Sequence, residues 1–271
     1  MSFSSRRLTV DGVELSVVVE GEGPDVLLVH GFPDDHGVWR GQIPALVAAG
    51  YRVIAPDTRG CGESGVPPRV ADYSVDRLVA DLVGVLDALG VNRARVVGHD
   101  WGALQGWYLA MRHPERVERY VALSVGHPAA YAHAGIAQKL KAYYAVLIQF
   151  RHVVEFVVTR FDWLLFRLFS GHSAEFPRWR LQLSRPGRLT AGFNYYRANL
   201  RRVLSQKDGS VTIPVVGIWS SRDRFLTERQ MVQSARYCDA GWTYVRVDGL
   251  GHWMQLDDPD RVNALLLQHL E

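Results

Sequence analysis

Val96-Val97-Gly98-His99-Asp100-Trp101-Gly102 is the stretch that decides how this sequence folds. Apolar residues run into two glycines four positions apart, and a helical pattern from Trp101 to Arg112 follows at once. A strand that turns into a helix over so few residues leaves no room for side chains at the two glycine positions. The residue between them is thrust above the sheet at a helix N-terminus, and here it is an acid, Asp100. Asp is also a good N-cap, so simple capping of the helix is the bland alternative for this position.

The flanking sequence repeats the strand–helix rhythm. Leu8 to Val10 and Val13 to Glu20 enclose Asp11-Gly12, a dipeptide suited to a hairpin turn. Asp25 to His30, Tyr51 to Pro56, Arg95 to Gly98, Val117 to Val125, Val215 to Trp219 and Thr243 to Val247 read as further strands, several of them continuous apolar runs that suit burial on both faces. Val38 to Ala49 and Ser74 to Leu89 have helical spacing, the second with Ser74 as its expected N-cap and Gly90 past its end. The alternation predicts an α/β fold with a mostly parallel central sheet flanked by helices. Between 127 and 211 the rhythm stops, and Arg and aromatic residues recur at helical spacing. A segment inserted after the sixth strand has to lie over the C-terminal edge of the sheet. Residues 127–211 are therefore expected to form a helical cap, or lid, and residues 1–126 with 212–271 the catalytic domain.

Bulk properties fit one layered core carrying an insertion: 271 residues, 48% hydrophobic, 22% charged, net charge +3. Interspersed charges give no polybasic footprint for nucleic acid or for a membrane surface, apart from short pairs such as Arg201-Arg202. The most apolar stretch, Val153 to Phe169, is interrupted by Glu155, Arg160, Asp162 and Arg167, too often for a membrane span. Cys61 and Cys238 are the two cysteines, far apart, which suits the cytoplasm rather than a disulfide-forming compartment. Scattered histidines show no metal-ligand spacing, so neither a metal nor a cofactor is expected. Assembly is left open between monomer and homodimer, the second through an apolar lid face.

Two more candidates fall just past strand ends. Asp223 follows Val215 to Trp219, and Gly251-His252-Trp253 follows Thr243 to Val247. Asp248, Asp257 and Asp258 lie nearer His252 in sequence. Asp248 belongs to the turn approaching the histidine, and the other two start the last helix, where acids suit the dipole. Strand-end position favours Asp223 as the partner of His252.

With the order acid, acid, histidine in place, the sequence resembles the α/β-hydrolases. His30-Gly31-Phe32-Pro33 and Gly98-His99-Asp100-Trp101-Gly102 resemble the HGxP and GHDWG motifs of their epoxide hydrolase branch. In the lid, Phe193-Asn194-Tyr195-Tyr196-Arg197 is similar to that branch's NWYR-type segment, and Ala142 to Phe150 to the segment supplying a second tyrosine, best matched by Tyr144. The adjacent Tyr143 and Tyr195 leave a one-place alternative for each. The resemblance implies an enzyme that turns a small hydrophobic epoxide and water into a diol through an ester on Asp100. It further implies Tyr144 and Tyr196 as proton donors, His252 oriented by Asp223 as the base acting on water, and backbone N–H groups of Phe32 and Trp101 as the oxyanion hole. His30 and His99 are expected to be structural. The rival is a haloalkane or haloacid dehalogenase with the same Asp nucleophile. Haloalkane dehalogenases usually carry Asn after His-Gly where Phe32 stands, and a departing halide has no use for tyrosine donors. A non-catalytic receptor on the same fold is the alternative from another class.

Overall fold

Eight strands form one sheet in the computed structural model, which describes residues 3–172, 174–203 and 209–271. They are β1 (Ser5–Val10), β2 (Val13–Glu20), β3 (Asp25–Val29), β4 (Arg52–Pro56), β5 (Ala94–His99), β6 (Val117–Leu123), β7 (Val215–Ser220) and β8 (Trp242–Val247). Their order across the sheet is β1-β2-β4-β3-β5-β6-β7-β8. β1 and β2 pair antiparallel through Asp11 and Gly12, both at positive φ as the turn requires, and β2 runs antiparallel to β4. The other pairs are parallel.

Alternation of side chains splits the core in two. Val26 and Leu28 of β3 join a cluster with helix α1 (Gln42–Ala48) on one face. Leu27 and Val29 join helices α2 (Val75–Ala88) and α3 (Trp101–Arg112) on the other. All four are fully buried, each side chain contributing about 1.5–3 kcal/mol of transfer free energy. A strand with both faces covered has to be apolar throughout, which is why β3, β4 and β5 lack polar alternation.

The chain direction along the sheet reverses around β3, with β4 on one side and β5 on the other. Such a switch point opens a crevice at the C-terminal strand ends. Val29 pairs with Gly98, so the segment after β3 and the turn after β5 emerge side by side. Between β6 and β7 the described chain contains helices only: α4 (Pro128–Ala132), α5 (Ile136–Lys141), α6 (Tyr143–Leu147), α7 (Val153–Ser170), α8 (Phe176–Leu183) and α9 (Arg188–Val203). Residues 173 and 204–208 of the expected cap lie outside the described residues. After β7 come α10 (Glu228–Gln233), α11 (Met254–Asp257) and α12 (Pro259–Leu270), the last packed beside α1.

Two local expectations need correction. The helix expected over Val38–Ala49 is broken into a short 3-10 turn (His36–Trp39) and α1. Pro44 explains the break, because inside a longer helix its ring would meet the carbonyl of Arg40. Ser74 occupies the N-cap position of α2, yet its side chain makes no capping hydrogen bond. Asn199 of α9 takes over, its Oδ1 accepting the Val75 N–H at 2.7 Å.

Candidate active site

At the elbow, Asp100 has φ 54° and ψ −121°, and its side chain does not cap α3. The glycines explain how this strained turn is tolerated. A Cβ on Gly98 would come within 2.5 Å of the Gly102 carbonyl oxygen, and one on Gly102 would run into the backbone of Val29 and His30. The carboxylate is thereby presented above the sheet edge, with 14% of its side-chain surface exposed. Its Oδ1 accepts the Phe32 N–H at 2.9 Å. The Trp101 N–H adds to the influences that hold the acid low.

His252 lies in the loop after β8. Its Nδ1 is 2.8 Å from Asp223 Oδ2, and its Nε2 is 3.6 Å from Asp100 Oδ2. Asp223 Oδ1 accepts the N–H groups of Phe225 and Leu226 at 2.8 and 2.9 Å, which locks its orientation. Asp248 pairs instead with Arg246, Asp257 accepts from Gly251 N–H, and Asp258 caps α12. Burial alone would raise Asp223, but the charge of His252 and these hydrogen bonds hold it below the usual carboxylate range. Burial would likewise lower His252; the charge of Asp223 and the bonds to both acids outweigh it and raise the imidazole to about 10. Asp100 is also held low, its burial outweighed by the hydrogen bond and charge of His252. The resting arrangement at neutral pH is thus an imidazolium between two carboxylates.

His99 is fully buried and its ring sits 4.7 Å from that of His252. Burial, then the neighbouring imidazolium, push it down to about 4, so it stays neutral and donates Nε2–H to the His252 carbonyl at 2.9 Å. His30 is equally buried: Nδ1–H donates to Gly31 O and Nε2 accepts the Thr58 N–H.

Lining the same cavities as Asp100 stand Tyr144 of α6 and Tyr196 of α9, ring centroids 5.7 Å apart. Tyr196 packs edge-on against Trp101 and Phe32. Burial pushes both phenols well above their ordinary value, and the charge of Asp100 adds to the effect, so each keeps its O–H proton. Their sequence neighbours face elsewhere. Tyr143 is exposed, and the Tyr195 hydroxyl donates to Arg59 O at 2.7 Å beneath the site.

Two cavities meet at Asp100, Tyr144 and Tyr196. One runs past Leu104, Val125, Pro128, Tyr131, Leu200 and Leu226. The other is walled by Phe32, Phe166, Phe169, Phe225 and Trp253. Apart from the three shared residues and His252, the walls are mostly apolar.

Asp34 was not among the sequence candidates. It is buried close to the site, with Oδ1 accepting from Trp179 Nε1 at 2.7 Å and Oδ2 from Trp253 Nε1 at 2.8 Å. Burial lifts its carboxyl to about 6 against the pull of those two indoles. It ties α8 to the loop that carries His252. The one group of side chains compatible with a metal among the described residues, Asp35, His36 and Asp57, lies apart from Asp100. Its acids are already bonded to Arg178, to backbone N–H groups and to His36.

Comparison with known proteins agrees with this architecture. Residues 24–259 match the alpha/beta hydrolase fold family. AB hydrolase superfamily protein YfhM of Bacillus subtilis (strain 168) is 34% identical, the match covering 97% of this chain and 96% of that protein. Epoxide hydrolase A of Mycobacterium tuberculosis is 32% identical over 98% and 97% of the two chains. The crystal structure of epoxide hydrolase A from Mycobacterium thermoresistibile superposes with a TM-score of 0.84 at 30% identity, over 99% and 98% of the chains.

Proposed function

This chain belongs to the α/β-hydrolase fold family, among its epoxide hydrolases, and from that premise we propose that it opens a hydrophobic epoxide through an ester on Asp100. One observation carries the proposal: Asp100 shares the walls of two apolar cavities with two neutral phenols and lies 3.6 Å from His252 of the His252–Asp223 pair. The helical segment 127–211 serves as the cap, supplying Tyr144 and Tyr196, and residues 1–126 and 212–271 supply the rest. The cavities suit an epoxide with an apolar substituent on each side. Cys61 and Cys238 are both unpaired, in keeping with a reducing compartment, and we assign the activity to the cytoplasm.

Asp100 Oδ1 is held by the Phe32 N–H, which leaves Oδ2 to attack a ring carbon. The carboxylate is already ionised, so this step needs no base. The C–O bond of the ring breaks, and the alkoxide takes a proton from Tyr144 or Tyr196. Ester formation removes the negative charge of Asp100, one of the influences that raise His252. The imidazolium can then give up its proton, and this restores the tyrosine. Neutral His252 takes a proton from water, whose hydroxide adds to the ester carbon. The oxyanion forms on Oδ1, in reach of the Phe32 and Trp101 N–H groups, where one donor is worth about two to three orders of magnitude in rate. Collapse expels the diol and returns the carboxylate–imidazolium pair. Because the base must be neutral, ester hydrolysis slows as pH falls, while alkylation does not share that dependence.

His252→Gln separates the two steps. Incubated with hydrophobic epoxides and read by intact mass, it should gain the mass of the whole epoxide, mapped to Asp100, and clear it at least about 100-fold more slowly than wild type. An adduct formed from haloalkanes with loss of halide, and none from epoxides, would turn the assignment to a dehalogenase. No adduct, together with no turnover by wild type, would favour a receptor.

A further inference from the structure

The cap turns a second apolar face outward. On α6 and the turn after it, Tyr143, Val146, Leu147 and Phe150 are exposed at the i, i+3, i+4, i+7 spacing that elsewhere in the chain makes a buried stripe. Val153, Phe156 and Val157 continue the face along α7. The backbone of α7 leaves helical geometry at Arg160 to Trp163; Phe161 within this break and Leu164, Leu165 and Leu168 beyond it are exposed as well. Phe161 is 80% exposed and Leu168 62%. These are not scattered residues, since Phe156, Val157, Phe161 and Leu165 line one open concavity together with Arg160. Apolar surface this continuous marks a contact site.

The charges on this surface that lie outside ion pairs are of one sign. Lys139, Arg151, Arg160 and Arg167 are exposed, and among the described residues none of them enters an ion pair. The two acids of the segment are both neutralised from elsewhere, Glu155 by Arg197 at 2.7 Å and Asp162 by Arg180 at 2.5 Å. Aromatic and aliphatic side chains interleaved with cations, Arg160 stacked on the Phe156 ring and Arg167 over that of Phe176, match the boundary of an anionic bilayer, where rings sit among headgroups and cations meet phosphate. A symmetric contact between two copies would instead bring these cations together. No helix is long and apolar enough to cross a membrane, so attachment would lie in the surface plane.

We infer that the outer face of α6 and α7 docks this protein on an anionic lipid surface. The same two helices carry Tyr144, Phe166 and Phe169 on their inner faces, lining the catalytic cavities. Docking would set the cavity walls against the phase in which apolar molecules dissolve.

The test is sedimentation with vesicles of phosphatidylcholine and phosphatidylglycerol in equal parts, compared with phosphatidylcholine alone. Wild-type protein should pellet with the anionic vesicles and be released by high salt. Arg151→Ala with Arg160→Ala should weaken partitioning about 30-fold, each cation being worth about 1 kcal/mol near such a surface. Phe161→Glu with Leu168→Glu should weaken it by about two orders of magnitude. Unchanged circular dichroism and thermal midpoint would show that the variants are folded. Vesicle binding does not depend on what the substrate is. Failure to pellet with anionic vesicles would overturn the inference, as would binding that ignores both pairs of substitutions. So would a dimer in sedimentation velocity without lipid that Phe161→Glu dissociates, because the face would then belong to a second copy.

Discussion

The two halves of the candidate site are held by different means. Asp100, His252, Asp223 and the Phe32 N–H all sit at strand ends and are fixed through backbone: a strained turn between glycines, two N–H groups on Asp223 and a carbonyl bonded to His99. Tyr144 and Tyr196 ride on helices and are held mainly by aromatic edges, from Trp101, Phe32, Phe169 and Phe225. Backbone constraints act over a few residues and fail abruptly. Packed rings share their load and fail by degrees. The comparison predicts that the sheet half breaks with one methyl group, whereas the helix half must be dismantled.

Gly102→Ala is the sharpest test of the first statement. The added Cβ meets the Val29 and His30 backbone, which cannot swing aside as a side chain would. Relaxation has to displace Asp100 and the Trp101 N–H together. Misplacing a nucleophile costs about 100-fold and losing an oxyanion donor costs about 100-fold or more, so turnover should fall about 10⁴-fold. Thermal unfolding should report a loss of about 3 kcal/mol. A variant within tenfold of wild type would show that the elbow is not under the constraint argued for it.

The same contrast explains what could be read from sequence. Gly98, Asp100 and Gly102 are spaced by a local steric need, and Asp223 and His252 each follow an apolar strand, so both leave a signature within a few residues. Strand order is less local, but apolar runs separated by helical patterns restrict it to a doubly covered parallel sheet. The tyrosines have no such signature. By spacing alone Tyr144 cannot be told from Tyr143, nor Tyr196 from Tyr195, and only resemblance picked them out. Asp34 was illegible because its two indole partners lie 145 and 219 positions away in sequence. The unused Ser74 cap failed for the same reason, since Asn199 comes from another part of the chain. The only hint of Asp34 was its place directly after His30-Gly31-Phe32-Pro33.

For the helix half, substitution should act by degrees. Tyr144→Phe and Tyr196→Phe each remove one O–H while the partner phenol remains 5.7 Å away, centroid to centroid. Each single variant should lose about tenfold in the alkylation rate, and the double variant about 10³-fold, as expected when no general acid is left. Stopped-flow fluorescence of the neighbouring Trp101 offers a direct readout of that step. One single variant as slow as the double, with the other unchanged, would mean that one phenol does all the work and the other is packing.

Tyr195→Phe makes the smallest change and the most discriminating one, because Tyr195 adjoins Tyr196 but points the other way. Its hydroxyl donates to the Arg59 carbonyl at 2.7 Å and lies 2.8 Å from Thr58 Oγ1, in a region closed by the buried Arg59–Asp81 ion pair. Removing it leaves a buried carbonyl without that partner, a loss of about 1–2 kcal/mol in unfolding free energy. The ring stays, so its edge-on contact with Trp101 and its packing against Tyr73 survive. Alkylation should therefore remain within about twofold of wild type, far from the tenfold expected one residue along. A catalytic loss at Tyr195 equal to that at Tyr196, with no loss of stability, would reverse the assignment of the two tyrosines. The helix half would then have to be rebuilt one position out of register.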